Sequence, residues 1–448
     1  MYATSLSGRC HAVFIICGYD RKVTKHLLAA LLTLLTGCTI PAAQSQAVSR
    51  VSPPLQPVGL YSLKADPNFD PAQLPGEMQL WHTRLWDGIA YINGYESRIN
   101  PQTLAATGDL YAIGRSFNTH VTTLLNALRV TKDPALLGEV DRLLEIARAQ
   151  LADYNGDGFL NWRYLNEGAE NDDLYGDDYH VMDDILTHSL IAAAAGALRE
   201  NAALDSRYAE HAAFWTDYLQ DNFEAKWRRR NDVSSGFPFL SRDLMHPYVQ
   251  FIRYHYYMAK LTGDEAYLAE AERMAGKVTE QVRQVYTAGG PAYVWNQRFL
   301  PEGDGERLTC QPFVYLQLTF QAFEDLAFEG LSVFDDAFMQ RVATSMTALV
   351  VQDSYRRFAK DICGGTFQAG FVPFWDGDGG ITYHFVNMPY AEIGKWDATG
   401  QLRRNVERAY NEVDLDDFYY PRSRMNLSAA MLFLLANNPD AQRVAAAP

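Results

Sequence analysis

A repeated pair of helical segments is the feature that most constrains how this chain folds. In each pair the first segment is apolar on most sides, whereas the second is amphipathic and carries charged residues on one face. Four such pairs are clear, at residues 110–151, 177–223, 246–286 and 311–353. Because a repeated hairpin buries its apolar face only against its neighbours, the pattern predicts an all-α fold, an (α/α)6-7 toroid of helical hairpins in a single domain.

The N-terminal residues predict export. Lys25 and His26 precede an apolar run that ends in Leu35-Thr36-Gly37-Cys38. This arrangement is typical of a bacterial lipoprotein signal, in which Cys38 becomes the lipidated first residue of the mature chain. An ordinary signal peptide, cleaved near residues 42–44, is the alternative. The lipoprotein prediction implies anchoring in the outer or inner membrane through the lipid on Cys38, in the periplasm or at the cell surface.

These observations divide the chain into four parts. Residues 1–37 form a leader and lipoprotein signal, and residues 38–72, rich in Ala, Gln, Ser and Pro, form a tether. Residues 73–440 form the α/α-barrel domain, and residues 441–448 form a tail. With 54 Asp+Glu against 39 Lys+Arg, the formal net charge is −15, which argues against a general nucleic-acid-binding surface.

Two cysteines, Cys310 and Cys363, remain once the leader and Cys38 are set aside. They could pair in an oxidising compartment, but residues so far apart in sequence give no evidence of contact. The sequence therefore leaves both a disulfide and two free thiols open.

Polar side chains collect where the apolar segments begin. The segment 237–266 is the richest in them, and Pro247 fits the first turn of a helix that we expect to begin near His246 and to stop at residues 261–264. The starts of successive inner helices open on the same end of a barrel, so these side chains should share one rim. The polar residues in question are Asn118, His120, His180, His188, Arg242, His246, Tyr248 and Gln311.

Residues 177–188 place carboxylates and imidazoles at the start of one apolar segment. His180, Asp184 and His188 recur at helical spacing and could ligate a metal, although a core position is the stronger interpretation of His188. Asp177, Asp178 and Asp184 could supply the acid and base of a glycoside hydrolase. The alternative is that these aspartates only favour the helix dipole at its N-terminus.

A second pattern offers calcium ligands. Asp153, Asn155, Asp157 and Asn161 have the spacing of the front of an EF-hand-like calcium loop, but Tyr164 stands where a bidentate Glu is expected. The alternative is a turn in which Asp and Asn side chains bond to their own backbone. Structural calcium is thus the one candidate cofactor.

Several of these features together resemble the α/α-barrel polysaccharide lyases: the lipoprotein signal, the toroid pattern, Asn118-x-His120, and the group of Arg242, His246 and Tyr248. The pattern is similar to alginate and glucuronan lyases, and most to polysaccharide lyase family 38, over residues 75–438. The resemblance implies β-elimination on a uronic-acid polymer such as alginate or glucuronan. In that reaction the enzyme neutralises the uronate carboxylate, a base removes the C5 proton and an acid protonates the leaving O4.

The resemblance also implies roles for individual residues. Tyr248 would act as base and acid, alone or with a His, and Arg242 would lower the pKa of Tyr248. The substrate carboxylate would be held, or proton transfer assisted, by Asn118, His120, His180 and His246. Further substrate contacts would come from Tyr256, Arg298, Gln311, Tyr383 and His384. Sugar rings would stack on Trp162, Trp295 and Trp375. This chemistry requires no cofactor.

Two other functions stay open. One is a glycoside hydrolase on the same toroid that acts on unsaturated uronyl oligosaccharides. The other is a non-catalytic lipoprotein that binds glycans. The lyase prediction requires an anionic polysaccharide as partner, and all three functions require a carbohydrate.

Overall fold

The computed structural model describes residues 61–95, 100–165, 181–230, 244–299, 309–353, 357–365, 391–412 and 422–437. These residues belong to one compact unit that spans Pro53–Pro448. The leader, Cys38 and most of the tether lie outside the described residues. Export and lipidation therefore stay predictions.

The described residues are mostly helical, which confirms the all-α prediction at that level. The helices are α1 Gly76–Asn93, α2 Pro101–Thr107, α3 Leu110–Ala112, α4 Asn118–Thr131, α5 Pro134–Arg148, α6 Val181–Glu200, α7 Ser206–Tyr218, α8 Ala225–Arg230, α9 Met245–Thr262, α10 Glu265–Gln281, α11 Phe313–Glu329, α12 Asp336–Ser345, α13 Gln401–Glu412 and α14 Ser423–Ala436. Shorter turns are π-helical at Ile113–Phe117, Leu219–Glu224 and Met346–Val350, and 3-10 at Pro71–Gln73, Ser332–Phe334 and Ala391–Trp396.

Helix α9 begins and ends where the sequence predicts. It starts at Met245, with Pro247 in its first turn, where the missing N–H costs no hydrogen bond. It stops at Gly263, whose φ of 73° is a left-handed conformation that glycine adopts without strain. The Asp264 side chain then accepts a hydrogen bond from the backbone N–H of Ala266 at 2.9 Å and starts α10.

The apolar helices pack against one another in chain order. Helix α4 contacts α6, α6 contacts α9, α9 contacts α11, and α14 contacts both α4 and α1. The amphipathic helices α5, α7 and α10 cover α4, α6 and α9 respectively. Helix α6 is long and apolar enough to span a membrane by composition, but 94% of that stretch is buried inside the protein. It is a core helix, packed on both of its neighbours.

Two short antiparallel sheets interrupt the helices. Strands β1 Val282–Thr287 and β2 Gly290–Trp295 form a hairpin, and β3 Val351–Asp353 pairs with β4 Arg357–Phe358. The sequence pattern predicts helix to residue 286 and a loop from residue 287, so the hairpin is a correction. Its physical reason is that Val, Tyr and Thr favour a strand at 282–287, while Gly290, with φ 110°, allows the tight turn.

A buried ion network joins the C-terminal halves of the apolar helices. Arg129 of α4 is fully buried and donates hydrogen bonds to Asp325 and Glu329 of α11, and to the Tyr257 hydroxyl of α9. Arg253 also bonds to Asp325, and Lys260 reaches Glu329 at 2.6 Å. The network therefore ties α4, α9 and α11 together without exposing a charge to solvent.

Cys310 and Cys363 form a disulfide, with their Cα atoms 6.0 Å apart. The bond links the residues just before α11 to those just after β4. The backbone N–H of Phe313 also donates to the carbonyl of Lys360 at 2.8 Å, next to the disulfide. Together these contacts fix the position at which α11 begins.

Replacing both cysteines by serine (Cys310→Ser, Cys363→Ser) should lower the free energy of unfolding by about 2–4 kcal/mol, because the bond closes a long loop in the unfolded chain. Urea unfolding of both proteins measures this difference. Wild type treated with a reductant should lose the same amount. A doubly substituted protein as stable as the untreated wild type would contradict a stabilising disulfide.

Candidate functional site

The N-terminal ends of α6, α9 and α11 meet the π-helical turn that precedes α4. Five residues at this place are named here the rim cluster: Arg115, Met182, Asp183, His246 and Tyr315. Arg115 lies in the π-helical turn, a distortion that is frequent at functional sites. The cluster thus combines a guanidinium, a carboxylate, an imidazole and a phenol from four separate elements.

A charge-assisted hydrogen bond holds Arg115 in place. Its Nε donates to Oδ1 of Asp183 at 2.9 Å, and its guanidinium carbon lies 4.6 Å from the centre of the Tyr111 ring. The Arg115 side chain is 29% exposed, whereas that of Asp183 is fully buried. The buried Asp183 therefore orients the guanidinium of Arg115, and part of the Arg115 side chain stays exposed to solvent.

Gly114 allows this close approach of the π-helical turn to α6. A Cβ atom at this position would stand 2.8 Å from the backbone oxygen of Asp183 and 2.9 Å from Oγ1 of Thr187. Any larger residue would push the turn away from α6. The Arg115–Asp183 hydrogen bond therefore depends on a glycine at position 114.

His246 and Tyr315 form a stacked pair. Their ring centres are 4.3 Å apart with an interplanar angle of 15°. His246 Nε2 lies 3.2 Å from the sulfur of Met182, a weak acceptor, and no described residue forms a hydrogen bond with Nδ1. Burial, with the charge of Arg115, lowers the pKa of His246 to about 3, so its imidazole is neutral in neutral solution.

Tyr315 is the partly exposed member of this pair. It lies in the first turn of α11, close enough for its phenol to interact electrostatically with Arg115. Two further arginines lie near the same helix ends: Arg298 is exposed and pairs through its backbone with Leu244, and Arg422 donates to the carbonyl of Ser116 at 3.1 Å. Within the described residues, three arginines thus lie near these helix ends, although the chain as a whole is acidic.

The structure brings His246 into the rim cluster but places Tyr248 elsewhere. Tyr248 is buried, its ring packs against Phe299 with centres 4.6 Å apart, and its hydroxyl has no hydrogen-bond partner within the described part of the chain. Burial raises the pKa of Tyr248 to about 12, opposite to the predicted lowering. The physical reason is helical geometry, because residues two apart point to different sides of a helix and Tyr248 faces the charges of α10.

The interior positions of Asn118 and His120 do not fit the predicted contact with a substrate. The Asn118 amide donates to the carbonyl of Leu186 at 2.8 Å, and its oxygen accepts from Thr122 and Gln321. Asn118 therefore joins α4 to α6 and α11. His120 is fully buried, and burial together with Arg422 lowers its pKa to about 3.

Four predicted substrate contacts are also core residues. Trp162 and Trp295 are fully buried, and their indole N–H groups donate to the carbonyl of Ala147 and to Gln311 respectively. Gln311 is buried by the same contact, and Tyr256 donates its hydroxyl to the carbonyl of Glu329 at the far end of α9. Stacking on a sugar ring needs an exposed face, which neither tryptophan has.

The remaining predicted residues lie outside the described residues and stay predictions. They are His180, Arg242, Trp375, Tyr383 and His384, together with Asp177 and Asp178 of the glycoside hydrolase alternative. The described Arg298 is exposed near the start of α9, where a substrate could reach it.

Asp184 belongs to a buried ion pair. Its Oδ2 accepts from Nζ of Lys226 at 2.7 Å, and His188 contacts its other oxygen. Burial raises the pKa of Asp184, but Lys226 and His188 more than offset this and hold the pKa below its usual range. A buried carboxylate bonded to an ammonium suits neither an acid catalyst nor a metal ligand. His188 is a core residue, stacked on Phe223 with ring centres 4.1 Å apart.

The calcium-like sequence forms a turn. Both oxygens of Asp153 accept backbone N–H groups, from Asp157 at 3.1 Å and from Gly158 at 2.9 Å. Asn161 is buried and directs its amide to Asp184 at 3.1 Å, away from the turn. Calcium binding by Asp153, Asn155, Asp157 and Asn161 therefore stays a prediction, with the Asn161 amide engaged by Asp184.

Among the described residues, the one group of three close His, Cys, Asp or Glu ligand atoms is Cys310, Asp361 and Cys363. Its two sulfurs are joined in the disulfide, so they are not thiolate ligands.

No protein-family model matches this chain, and no curated protein matches it.

Proposed function

We propose that this protein is a polysaccharide lyase that cleaves a uronic-acid polymer, such as alginate or glucuronan, by β-elimination. The observation that carries the proposal is the rim cluster, in which Asp183 holds a partly exposed Arg115 beside the stacked pair of His246 and Tyr315. A uronate lyase needs a cation for the carboxylate and a phenol or imidazole for the proton. Arg115 and Tyr315 take the roles first expected of Arg242 and Tyr248.

The packing supports an (α/α)6-7 toroid as the scaffold. Helices α4, α6, α9 and α11 are neighbours in chain order, α14 packs on α4, and the 3-10 segment Ala391–Trp396 contacts both α11 and α14. In a toroid these elements form the inner ring. Their N-terminal ends then open on one rim, where the rim cluster lies.

Arg115 neutralises the uronate carboxylate in this mechanism. Asp183 takes its Nε–H donor, which leaves the terminal nitrogens for the two oxygens of a carboxylate. Withdrawing charge from the carboxylate makes the neighbouring C5 proton more acidic and stabilises the negative charge that develops as it leaves. The neutral His246 stacks on the Tyr315 ring and so positions the phenol without adding a charge.

Tyr315 moves the proton. As tyrosinate, it takes the proton from C5, and the electron pair of that C–H bond forms the C4=C5 double bond. The bond between C4 and O4 breaks, and O4 receives the proton from the phenol. The tyrosinate is thereby restored, and no oxidant, reductant or metal enters the step.

The location that fits this proposal is outside the cytoplasm, with the chain anchored by a lipid on Cys38. The disulfide supports an oxidising compartment. The first described residues, Tyr61 and Ser62, bind Arg129 and Lys132 through their carbonyls, at the C-terminal end of α4. The tether therefore reaches the domain at the end opposite to the rim cluster, roughly 27 Å away by the length of an 18-residue helix.

Incubation of the purified protein with alginate, glucuronan and other uronic-acid polymers tests the proposal. We expect ultraviolet absorbance to rise with at least one of them, because β-elimination creates a double bond conjugated to the carboxylate. A neutral polymer such as starch is the control and should give no rise. Absorbance lost from unsaturated oligosaccharides would show the hydrolase instead, and binding without any change in absorbance would show the glycan-binding protein.

A further inference from the structure

A pair of buried glutamates lies away from the rim cluster and has no part in the proposed reaction. Glu324 belongs to α11 and is 1% exposed, and Glu392 belongs to the segment Ala391–Trp396 and is fully buried. The amide of Asn126, on α4, donates to Oε1 of Glu392 at 3.2 Å. The pair thus stands where three elements of the interior meet.

The carboxyl oxygens of this pair are poorly satisfied. Among the described residues, Oε2 of Glu392 and both oxygens of Glu324 find no hydrogen bond of normal geometry, and the Ile393 backbone amide is the one group there that favours the charged form of Glu324. Leaving an ionised carboxylate buried without partners costs several kcal/mol. The negative charge of Glu392 also acts on Glu324, which adds mutual repulsion if both are ionised.

Within the described residues, no cation is among the charges that act on the pair. On α11 the neighbour is Asp325, whose charge is matched by Arg129 and Arg253. The charged side chains of the surrounding elements have other partners. Lys395 of the segment Ala391–Trp396 contacts Asp336 of α12, and Arg403 of α13 pairs with Glu77. Helix α14 has no ionisable residue between positions 425 and 436.

We propose that the buried pair Glu324 and Glu392 holds a bound proton, which lets α11 pack on the segment Ala391–Trp396 and makes this contact sensitive to alkaline pH. A proton is the smallest species that removes a negative charge here, and two carboxyl groups are too few oxygen ligands for calcium. Loss of the proton leaves two like charges in the interior, which drives α11 away from the segment. Because α11 also carries Tyr315, the same pair supports the position of the rim cluster.

The titration behaviour agrees with this geometry. Burial raises the pKa of Glu392 to about 8, and burial followed by the charge of Glu392 raises the pKa of Glu324 well above its usual value. The folded state therefore holds protons that the unfolded chain releases from about pH 4.5 upward. The stability that the bound protons contribute is fully present below about pH 4.5, and it is lost as the pH rises towards 8 and beyond.

Urea unfolding between pH 5 and pH 9 tests the proposal on wild type and on Glu324→Gln with Glu392→Gln, since glutamine imitates a protonated glutamate. The unfolding equilibrium constant of wild type should rise up to tenfold per pH unit for each proton released, and that component should vanish in the double variant. Glu272→Gln, on the exposed face of α10, is the control and should keep the wild-type dependence. Equal pH dependence in wild type and double variant would overturn the proposal.

A measurement on wild type alone covers the case in which the double variant does not fold. Infrared spectra should show the carbonyl stretch of a protonated carboxyl group at neutral pH, and this band should disappear as pH is raised above 8. Absence of the band at neutral pH would overturn the proposal. Calcium that stabilises the wild type at neutral pH but not the double variant would also overturn it, because a metal ion would then hold the pair.

Discussion

Replacing Arg129 by methionine should lower the free energy of unfolding by about 3–5 kcal/mol, the largest loss of stability expected for a single substitution here. Methionine fills similar space but removes one of the two cations that Asp325 and Glu329 each contact, leaving Arg253 to Asp325 and Lys260 to Glu329. It also leaves the carbonyl of Tyr61 without its guanidinium donor. The loss arises mainly because the buried carboxylates then carry more negative charge than the remaining cations balance.

Chemical denaturation of Arg129→Met and wild type measures this loss. Arg273→Met is the matched control, because Arg273 pairs with Glu270 on the surface of α10 and its side chain is 49% exposed. An exposed pair of this kind contributes under about 1 kcal/mol. If the two variants lost equal stability, the buried network would not be what holds α4, α9 and α11 together.

Helix boundaries could be predicted where short-range signals determine them. Asp133 followed by Pro134 starts α5, and Gly263 followed by Asp264 separates α9 from α10, as the sequence indicates. These signals act through the backbone of one or two turns, so they need no knowledge of the fold. For the same reason, the alternation of apolar and amphipathic segments was sufficient to predict that the fold is all-α.

Side-chain direction could not be predicted in the same way. His246 and Tyr248 are two residues apart, and the sequence alone does not show which of them faces the interior helices. Arg115 was not predicted as a candidate because it lies in a π-helical turn, which changes the direction in which the side chains of that turn point. Tyr315 lies four residues after Gln311, and the sequence pattern favours Gln311 because it stands at the start of the helix, whereas the structure buries Gln311 against Trp295.

Long-range contacts also could not be predicted from the sequence. Trp162 and Trp295 are residue types that often stack on sugars, but the same rings also fill cores, and here they do so. The Cys310–Cys363 bond depends on how the end of β4 returns to the start of α11. Only tertiary packing determines either outcome.

Tyr315→Phe should lower the catalytic rate by about 10²–10⁴-fold, the range expected when a general acid or base is removed. Phenylalanine keeps the ring that stacks on His246 and removes only the hydroxyl, so the fold should be unchanged. Tyr248→Phe is the matched control. Its hydroxyl bonds to none of the described residues, so its removal should affect neither stability nor rate.

The most direct test of the central claim is the initial rate of double-bond formation by wild type, Tyr315→Phe and Tyr248→Phe on the same uronic-acid polymer. Thermal unfolding of each protein confirms that it is folded. We predict that Tyr315→Phe loses nearly all activity while Tyr248→Phe stays close to wild type. A Tyr315→Phe protein as active as wild type, or a folded Tyr248→Phe protein without activity, would contradict the assignment of the rim cluster as the active site.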